Sequence, residues 1–261
     1  MAYELQWGSD KPGHIVFLMD LSGSMENKID DVINAVQNTC KSIVARCMAG
    51  KDLRERVFVS VYGYNFEVKE LLTTTPSSPK DLGKALKEAK SLNKPLFDKT
   101  KEAKPEYQTV MRLAFERAKS DIEQWISKQK AAGVRIPAPI VINITDGFPY
   151  EGKDKEQKQV FSETLKSAKD LTSIATPDGN VRLFNVHFDP DSKEETLRFP
   201  QNRPAEEHLQ FLFDASSPMS GDMINLARAY FKEACMGSRC LLSNEKDISN
   251  LARFIDWGSS K

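Results

Sequence analysis

The sequence predicts an α/β fold: a doubly wound, mostly parallel sheet with one antiparallel edge strand and helices on both faces. Apolar runs of strand length alternate along the 261 residues with stretches whose apolar residues recur at helical spacing, which is typical of layered α/β sheets. Neither an internal repeat nor a low-complexity linker interrupts this alternation. We therefore expect a single domain over residues 1–261, with its core at about 14–257, and right-handed crossovers leave few arrangements for its strands.

The first half of the chain predicts two parallel strands and the edge strand. Residues 14–20 form a nearly continuous apolar run, as in a parallel strand that is covered on both faces. Apolar residues at helical spacing over 29–48 predict the helix that follows. A second strand is predicted at 57–64, and a third, at 66–72, begins after the single residue Asn65. Because so short a link cannot make a parallel crossover, we expect the third strand to pair antiparallel with the second at the sheet edge.

The second half continues the alternation after an irregular stretch. Residues 79–105 hold eight lysines, one short helical pattern and several prolines, which indicates a surface excursion. The predicted elements that follow are a helix at 109–130, a strand at 140–145, a helix at 154–174, a strand at 181–188, a long loop at 189–221 with room for one short helix, a helix at 222–234, a short strand at 239–242, and a last helix at 246–257 capped by Ser243 or Asn244.

Charge and composition exclude several classes of function. The 37 basic and 37 acidic residues leave a formal charge of zero, which argues against nucleic-acid binding by bulk phosphate neutralisation and against steering to an anionic membrane. No apolar run approaches the roughly 20 residues that span a bilayer, and residues 1–12 lack the layout of a signal peptide. We therefore predict a cytoplasmic protein.

The cysteines and histidines predict neither a disulfide framework nor a zinc site. The four cysteines are too sparse for the first and too scattered for the second, so we expect buried, reduced thiols. His187 ends a predicted strand and could lie near a site, although a structural hydrogen bond is its more ordinary role. His208 is placed in the long loop. The cysteines are Cys40, Cys47, Cys235 and Cys240.

Polar residues follow two of the predicted strands directly. The first strand ends in Asp20-Leu21-Ser22-Gly23-Ser24, and the strand at 140–145 continues into Asp146-Gly147. In such sheets ligands bind beyond the carboxyl ends of the strands, where the strand order reverses. Two neighbouring carboxylates repel each other, and a hard cation between them removes that cost. Oxygen-only donors with few formal charges suit Mg²⁺ or Mn²⁺.

Together these two motifs resemble the metal-ion-dependent adhesion site of von Willebrand factor A (vWA) domains. The order of elements over roughly residues 14–257 resembles that family as well. In the family, the two serines of a DxSxS motif bind the metal directly, the aspartates bind it directly or through water, and a threonine of an intervening loop adds an oxygen. The resemblance therefore implies five metal ligands, which are Asp20, Ser22, Ser24, Thr109 and Asp146.

Thr109 is chosen because it opens the predicted helix at 109–130, as the threonine of the family does. Its neighbours Tyr107 and Gln108 do not provide the Gly-rich context that is common there, and Thr100 is the alternative. The resemblance further implies a non-enzymatic module in which a carboxylate of a partner protein completes the metal shell. Likeness to free-standing cytosolic vWA proteins of bacteria implies partners such as ATPases, kinases or phosphatases, including stress-response systems of the tellurite-resistance type.

Other interpretations of the same residues stay open. Ser22-Gly23-Ser24 could be only a turn and helix cap, because Ser and Gly are preferred in turns. A haloacid-dehalogenase-like phosphotransferase also places Asp and Mg²⁺ after a first strand, but it needs a second Asp where this chain has Ser22. A third alternative is a scaffold whose metal site is vestigial. Phe148 and Tyr150, which follow Asp146 closely, are candidate anchors of an interface, and the lysines between Lys80 and Lys104 form either a solvated face or a docking surface.

Overall fold

The computed structural model describes residues 7–106 and 108–258. Within them, seven strands form the main sheet: β1 Gly13–Asp20, β2 Val57–Tyr64, β3 Val68–Glu70, β4 Ile140–Thr145, β5 Arg182–Phe188, β6 Leu197–Arg198 and β7 Leu241–Glu245. Their order across the sheet is β6-β7-β5-β4-β1-β2-β3. Two small hairpins lie outside this sheet, at residues 48–53 and 175–180.

The five central strands run parallel, and both edges are antiparallel. β3 pairs antiparallel with β2, with Tyr62 opposite Glu70, which confirms the predicted edge strand. The opposite edge carries a second antiparallel strand, β6, in which Arg198 lies opposite Leu242 of β7. β6 has only two residues, so hydrophobic periodicity could not reveal it within the predicted long loop.

Helices cover both faces of the sheet, which confirms the predicted fold class. Side chains alternate between the faces along β1. Ile15 and Phe17 join the apolar cluster that includes the helix at residues 29–47, whereas Val16 and Leu18 join the cluster that includes the helix at residues 111–131. The helices are α1 Ile29–Cys47, α2 Pro79–Ser91, α3 Met111–Ala131, α4 Gln157–Thr172, α5 Glu207–Ala215, α6 Gly221–Ala227 and α7 Ile248–Gly258.

The predicted cap of the last helix is wrong. Ser243 and Asn244 belong to β7, which continues to the buried Glu245 opposite Phe188. The carboxylate of Asp247 instead accepts a hydrogen bond from the backbone N–H of Ser249 at 2.8 Å, immediately before α7. The strand extends further than predicted because a register shift between Leu242 and Glu245 lets it continue past two polar residues.

Two other expectations are met with changed lengths. The short helical pattern in 79–105 is a helix of 13 residues, α2, whose N-cap Ser78 accepts a hydrogen bond from the backbone N–H of Asp81. The helix predicted at 222–234 is shorter than expected: α6 ends at Ala227.

All four cysteines are free, and three of them are buried. In the described part of the chain, no helix is both long enough and apolar enough to cross a membrane.

His14, near the start of β1, is fully buried beside Ser60 and Asp121. Its Nε2 lies 3.0 Å from Ser60 Oγ and 3.6 Å from Asp121 Oδ2, and its ring packs against Trp125 with centroids 5.0 Å apart. The hydroxyl and the carboxylate approach the same ring nitrogen, whereas a catalytic triad uses both nitrogens of the imidazole. The three side chains therefore form a structural cluster rather than a proton relay.

Burial makes this histidine a source of acid lability. Desolvation lowers the pKa of His14 to about 4, and the nearby Asp121 opposes that shift only in part. The folded protein thus keeps His14 neutral, while the unfolded chain binds a proton with a pKa near 6.5. As the pH falls from about 6.5 towards 4, only the unfolded state gains this proton, and stability is lost in that window.

We predict that His14→Gln weakens the pH dependence of stability. The free energy of unfolding should fall by about 2–3 kcal/mol less in the variant than in the wild type between roughly pH 7.5 and 4.5, since each pKa unit is worth about 1.4 kcal/mol. Urea titrations at several pH values measure the difference. Equal losses in the two proteins would mean that the pKa of His14 is the same in the folded and the unfolded state, so that burial does not lower it.

Candidate metal centre

Asp20 and Asp146 meet because β1 and β4 are parallel neighbours. The two strands are in register from Ile15 opposite Ile140 to Met19 opposite Ile144, so their carboxyl ends lie at the same edge of the sheet. Asp20 ends β1 and is fully buried, while Asp146 follows β4 directly. Parallel pairing thus converts two distant sequence motifs into one polar centre.

Hydrogen bonds from protein groups hold both oxygens of Asp20. Oδ1 accepts the backbone N–H of Ser22 at 2.8 Å, and Oδ2 accepts the hydroxyl of Thr145 at 2.6 Å. The Thr145 hydroxyl in turn accepts the backbone N–H of Gly147 at 3.1 Å. Thr145 therefore connects the carboxylate of Asp20 to the turn that carries Asp146.

The two serines connect the aspartates. Ser22 Oγ lies 3.1 Å from Ser24 Oγ, and the hydroxyl of Ser24 donates to Asp146 Oδ1 at 2.9 Å. A single 3-10 turn, Gly23–Met25, brings both hydroxyls to the same place. Asp20, Ser22, Ser24 and Asp146 consequently form one continuous group of oxygens across the ends of β1 and β4.

A glycine in the neighbouring strand makes room for this turn. The backbone N–H of Leu21 donates to the carbonyl of Tyr64 at 2.7 Å, which carries the chain from β1 towards the end of β2. The buried Leu21 side chain then lies against Gly63, where an added Cβ would be 2.3 Å from Leu21 Cδ1. Any larger residue at position 63 would force the Leu21 side chain to move.

The electrostatics of Asp20 fit a bound cation. The pKa of Asp20 is raised to about 7: burial is the main cause, the hydrogen bonds from Thr145 and Ser22 oppose the shift, and the negative charge of Asp146 adds to it. Ionising a buried carboxyl group beside a second negative charge costs free energy, and a divalent cation would offset that cost. The donors are all oxygens, with two carboxylates and two hydroxyls, and they match the preference of Mg²⁺ and Mn²⁺ for hard ligands.

Two residues of this centre were not anticipated from the sequence. The ammonium of Lys28 donates to Asp146 Oδ2 at 2.8 Å and lies 3.1 Å from Asp189 Oδ1. Asp189 directly follows β5, the strand beside β4, so it shows the same signal as Asp20 and Asp146: a carboxylate that ends an apolar strand. Lys28 had no such signal, because only the fold places residue 28 near residue 146.

The two candidate threonines lie in different environments. Thr109 is buried, and its backbone exchanges two hydrogen bonds with Tyr150, of 3.1 and 2.9 Å, in the segment that follows Asp146. Thr100 is exposed, and its hydroxyl donates to Asp98 in its own turn at 2.6 Å. The structure thus brings the backbone of Thr109, rather than that of Thr100, to the Asp146 segment. Tyr107 lies outside the described residues.

His187 has a structural role beside the centre. Its Nδ1 accepts the backbone N–H of Asn244 at 3.2 Å, so Nε2 carries the proton and donates to the carbonyl of Asp146 at 3.1 Å. Burial lowers its pKa to about 4, which agrees with a neutral ring. His208 belongs to α5 and not to a loop as predicted, because residues 207–215 form a helix that places its ring 5.3 Å from that of His187.

Phe148 is an exposed aromatic side chain next to the centre. Its side chain is 42% exposed, although its ring packs edge-on against Phe161 with centroids 5.8 Å apart. Phe161 stacks in turn on the buried Phe211 at 5.4 Å. The exposed ring is therefore supported by the core, two residues after Asp146.

The described residues contain no group of three or more His, Cys, Asp or Glu side chains arranged to hold a metal ion. The Asp20–Asp146 centre is of another kind, since two of its four donors are serine hydroxyls. The affinity of this centre for a metal ion would depend on two carboxylate charges and on how well ordered the turns after β1 and β4 are.

We predict that Thr145→Val destabilises the protein by about 1.5–3 kcal/mol, the range for a lost hydrogen bond to a charged group. The matched control is Thr164→Val, because Thr164 is also fully buried but its hydroxyl has no hydrogen-bond partner among the described residues. That control should be neutral or stabilising. Urea denaturation near pH 8 measures both variants, and equal effects would contradict a specific role of Thr145 in holding Asp20.

Comparison with known proteins supports the fold. No protein-family model matches this sequence, and no curated protein matches it in a sequence search. Among solved structures, the open conformation of the pilus adhesin SpaC from Lactobacillus rhamnosus GG is 12% identical, with a TM-score of 0.53 over 94% of this chain and 29% of that one. Proximal thread matrix protein 1 from the mussel byssus is 13% identical, with a TM-score of 0.50 over 96% and 48%.

A third structure, von Willebrand factor type A from Catenulispora acidiphila, is 13% identical over 69% of this chain and 34% of that one, and its TM-score of 0.43 is too low to bear on the fold. The chain spans less than half the length of each of these three structures. At such identities the first two matches establish a shared fold only. The doubly wound α/β architecture of this chain is therefore one that adhesion and matrix proteins also use.

Proposed function

We propose that this chain is a metal-dependent protein-binding module of the vWA type and not an enzyme. The observation that carries the proposal is the continuous set of oxygens from Asp20 through Ser22 and Ser24 to Asp146, located where parallel strands end. The resemblance of the two motifs to the vWA metal site supports the same conclusion. We also propose that residues 1–261 form one domain, in accord with a sheet whose strands come from Gly13 to Glu245.

The proposed ligands of a divalent cation are Asp20, Ser22, Ser24, Asp146 and Thr109, with Mg²⁺ or Mn²⁺ as the ion. When bound, the ion would supply Lewis acidity and an open coordination position. The chain's own residues do the positioning: Thr145 and the backbone of Ser22 orient the carboxylate of Asp20, and Lys28 holds that of Asp146. Burial of Asp20 keeps water away from the inner side of the centre.

The proposed partner is a protein that presents a carboxylate to this centre. Phe148 supports an interface here, because an exposed aromatic ring that is packed against the core loses little conformational freedom on binding. An ATPase, kinase or phosphatase in a cytoplasmic system, with a part in stress response, remains the specific form of the proposal that the family resemblance suggests. Neither nucleic acid nor membrane is part of it.

One observation favours a second candidate, a scaffold that keeps the fold without using a metal. The ammonium of Lys28 already lies 2.8 Å from Asp146 Oδ2 and offsets much of its charge. Asp20, however, has no such counter-ion among its described contacts. Its pKa is raised to about 7, so a nearby positive charge would stabilise its ionised form. The phosphotransferase alternative gains no support, since Ser22 stands at the position of the required second carboxylate.

We predict that Mn²⁺ or Mg²⁺ raises the melting temperature. At a metal concentration about a hundredfold above Kd, binding to the native state adds about 2.7 kcal/mol, or roughly 5–10 °C for a chain of this size. Asp20→Asn should abolish the shift while leaving the metal-free protein folded, because it removes a buried charge but keeps the shape. Differential scanning calorimetry with and without EDTA measures this.

Matched controls separate the centre from other acidic sites. Asp98→Asn, at an exposed turn bonded by Thr100, should leave the metal-induced shift intact. Thr109→Ala should reduce the shift, and Thr100→Ala should not. If the wild type shows no shift with either metal, the scaffold candidate is correct and the metal proposal fails.

We also predict that capture of a protein partner depends on the metal. Immobilised wild type should retain its partner from a lysate of the source organism in Mn²⁺ and release it in EDTA, and the Ser22→Ala/Ser24→Ala variant should retain nothing. Phe148→Ala should raise the dissociation rate, at a cost of about 1–3 kcal/mol. A partner that binds equally well in EDTA and ignores these substitutions would show that this edge of the sheet is not the docking surface.

A further inference from the structure

A groove between α1 and α2 combines lysines with an apolar wall. Its volume is about 500 Å³, and its lining includes Lys41 of α1, Leu86, Lys87, Ala89 and Lys90 of α2, and Lys94 just after α2. None of its described lining residues belongs to the Asp20–Asp146 centre, and Lys41 lies twelve residues, about 18 Å, from the start of α1, the end that follows Ser24. The groove is therefore separate from the proposed metal centre.

The positive charge in this groove is only weakly compensated: Lys94 helps to lower the pKa of Asp98, a carboxyl outside the lining. No carboxylate lines it, and within the described residues none of the four lysine ammonium groups forms an ion pair. In the described part of the chain, Lys41 donates only to the neutral side chain of Asn38, at 3.1 Å. Other lysines nearby are paired, such as Lys99 with Asp30. In a chain of zero formal charge, four unpaired ammonium groups around one opening create a local positive field.

The wall of the groove can accept apolar side chains. Leu86 is only partly buried, where it packs against the core, and Ala89 is half-buried one turn further along α2. Leu92, three residues beyond Ala89, is 58% exposed. A volume of about 500 Å³ lies within the usual range of ligand sites, which is roughly 300–1,000 Å³.

We propose that this groove docks an acidic, amphipathic segment of a partner protein. Its carboxylates would pair with Lys41, Lys87, Lys90 and Lys94, and its apolar side chains would pack on Leu86 and Ala89. Charge complementarity selects an acidic occupant, and the apolar wall selects a polypeptide. Among the described residues, neither an arginine nor an aromatic ring lines the groove, so the described lining offers no stacking platform of the kind found in single-stranded nucleic-acid sites. This proposal does not rest on the metal centre.

The test measures binding of a fluorescein-labelled synthetic peptide, with leucines at helical spacing and glutamates between them, by fluorescence anisotropy. The wild-type protein should bind it with an affinity that falls as salt rises, because exposed charges are screened. Lys87→Glu/Lys90→Glu should weaken binding by at least about tenfold, and Lys41→Glu/Lys94→Glu should do the same through residues on the other parts of the rim. Circular dichroism confirms that these exposed substitutions leave the fold intact.

The matched control is Lys128→Glu/Lys130→Glu, which makes the same change in net charge on α3, at the opposite face of the sheet. It should leave the affinity within about twofold of the wild type. A peptide of equal composition with scattered leucines should bind more weakly. The proposal is overturned if the α3 variant loses as much affinity as the groove variants, or if an oligothymidylate binds as tightly as the peptide.

Addition of EDTA distinguishes this proposal from the metal-dependent one. Binding of the peptide at the groove should be the same with EDTA and with Mn²⁺, and unaffected by Asp20→Asn. Loss of binding in EDTA would overturn docking at the groove and would assign the acidic peptide to the Asp20–Asp146 centre. Absence of a metal effect on melting, by contrast, would leave the groove proposal standing.

Discussion

The repulsion between Asp20 and Asp146 is the constraint on which the candidate site depends. Parallel pairing of β1 with β4 forces both carboxylates to the same edge of the sheet, one of them fully buried. Two negative charges in such surroundings must be offset by hydrogen bonds, by a cation or by protonation. The turn at residues 21–25, the hydroxyl of Thr145 and the ammonium of Lys28 are each placed where they reduce this cost.

The two aspartates meet this requirement in different ways. Asp146 has a full positive charge beside it, in Lys28, which also contacts Asp189. Among the described residues, Asp20 accepts hydrogen bonds only from neutral donors, and its pKa is raised to about 7, mainly by burial. A divalent cation would therefore contribute most at Asp20, whereas it would compete with Lys28 at Asp146. This asymmetry makes Lys28 the residue that could tune metal affinity in this chain.

The two proposed binding surfaces lie on different parts of the fold, and the central sheet supports both. The strand ends carry the oxygen cluster and the exposed Phe148. The sides of α1 and α2 carry the groove, whose lysines form no ion pairs among the described residues. Both surfaces rest on the same rigid sheet, since β1 contributes Asp20 to one edge and apolar residues to the cluster beneath α1. A partner with one acidic segment for each surface would bind more tightly than either contact allows, provided that its linker spans both.

The sequence by itself determined the fold class, the succession of the central strands and their helices along the chain, and the antiparallel pairing of β3. It could do so because hydrophobic periodicity and a one-residue link are local signals. It also identified Asp20, Ser22, Ser24 and Asp146 as a group, since each motif follows directly on an apolar run. Only the tertiary structure placed Lys28 and Asp189 beside Asp146, revealed the short strand β6 and moved the cap of α7 to Asp247. Strand neighbours and register shifts depend on long-range contacts, which leave no local trace in the chain. Asp189 does carry the local signal of a carboxylate that follows an apolar strand, but its contact with Lys28 does not follow from that signal.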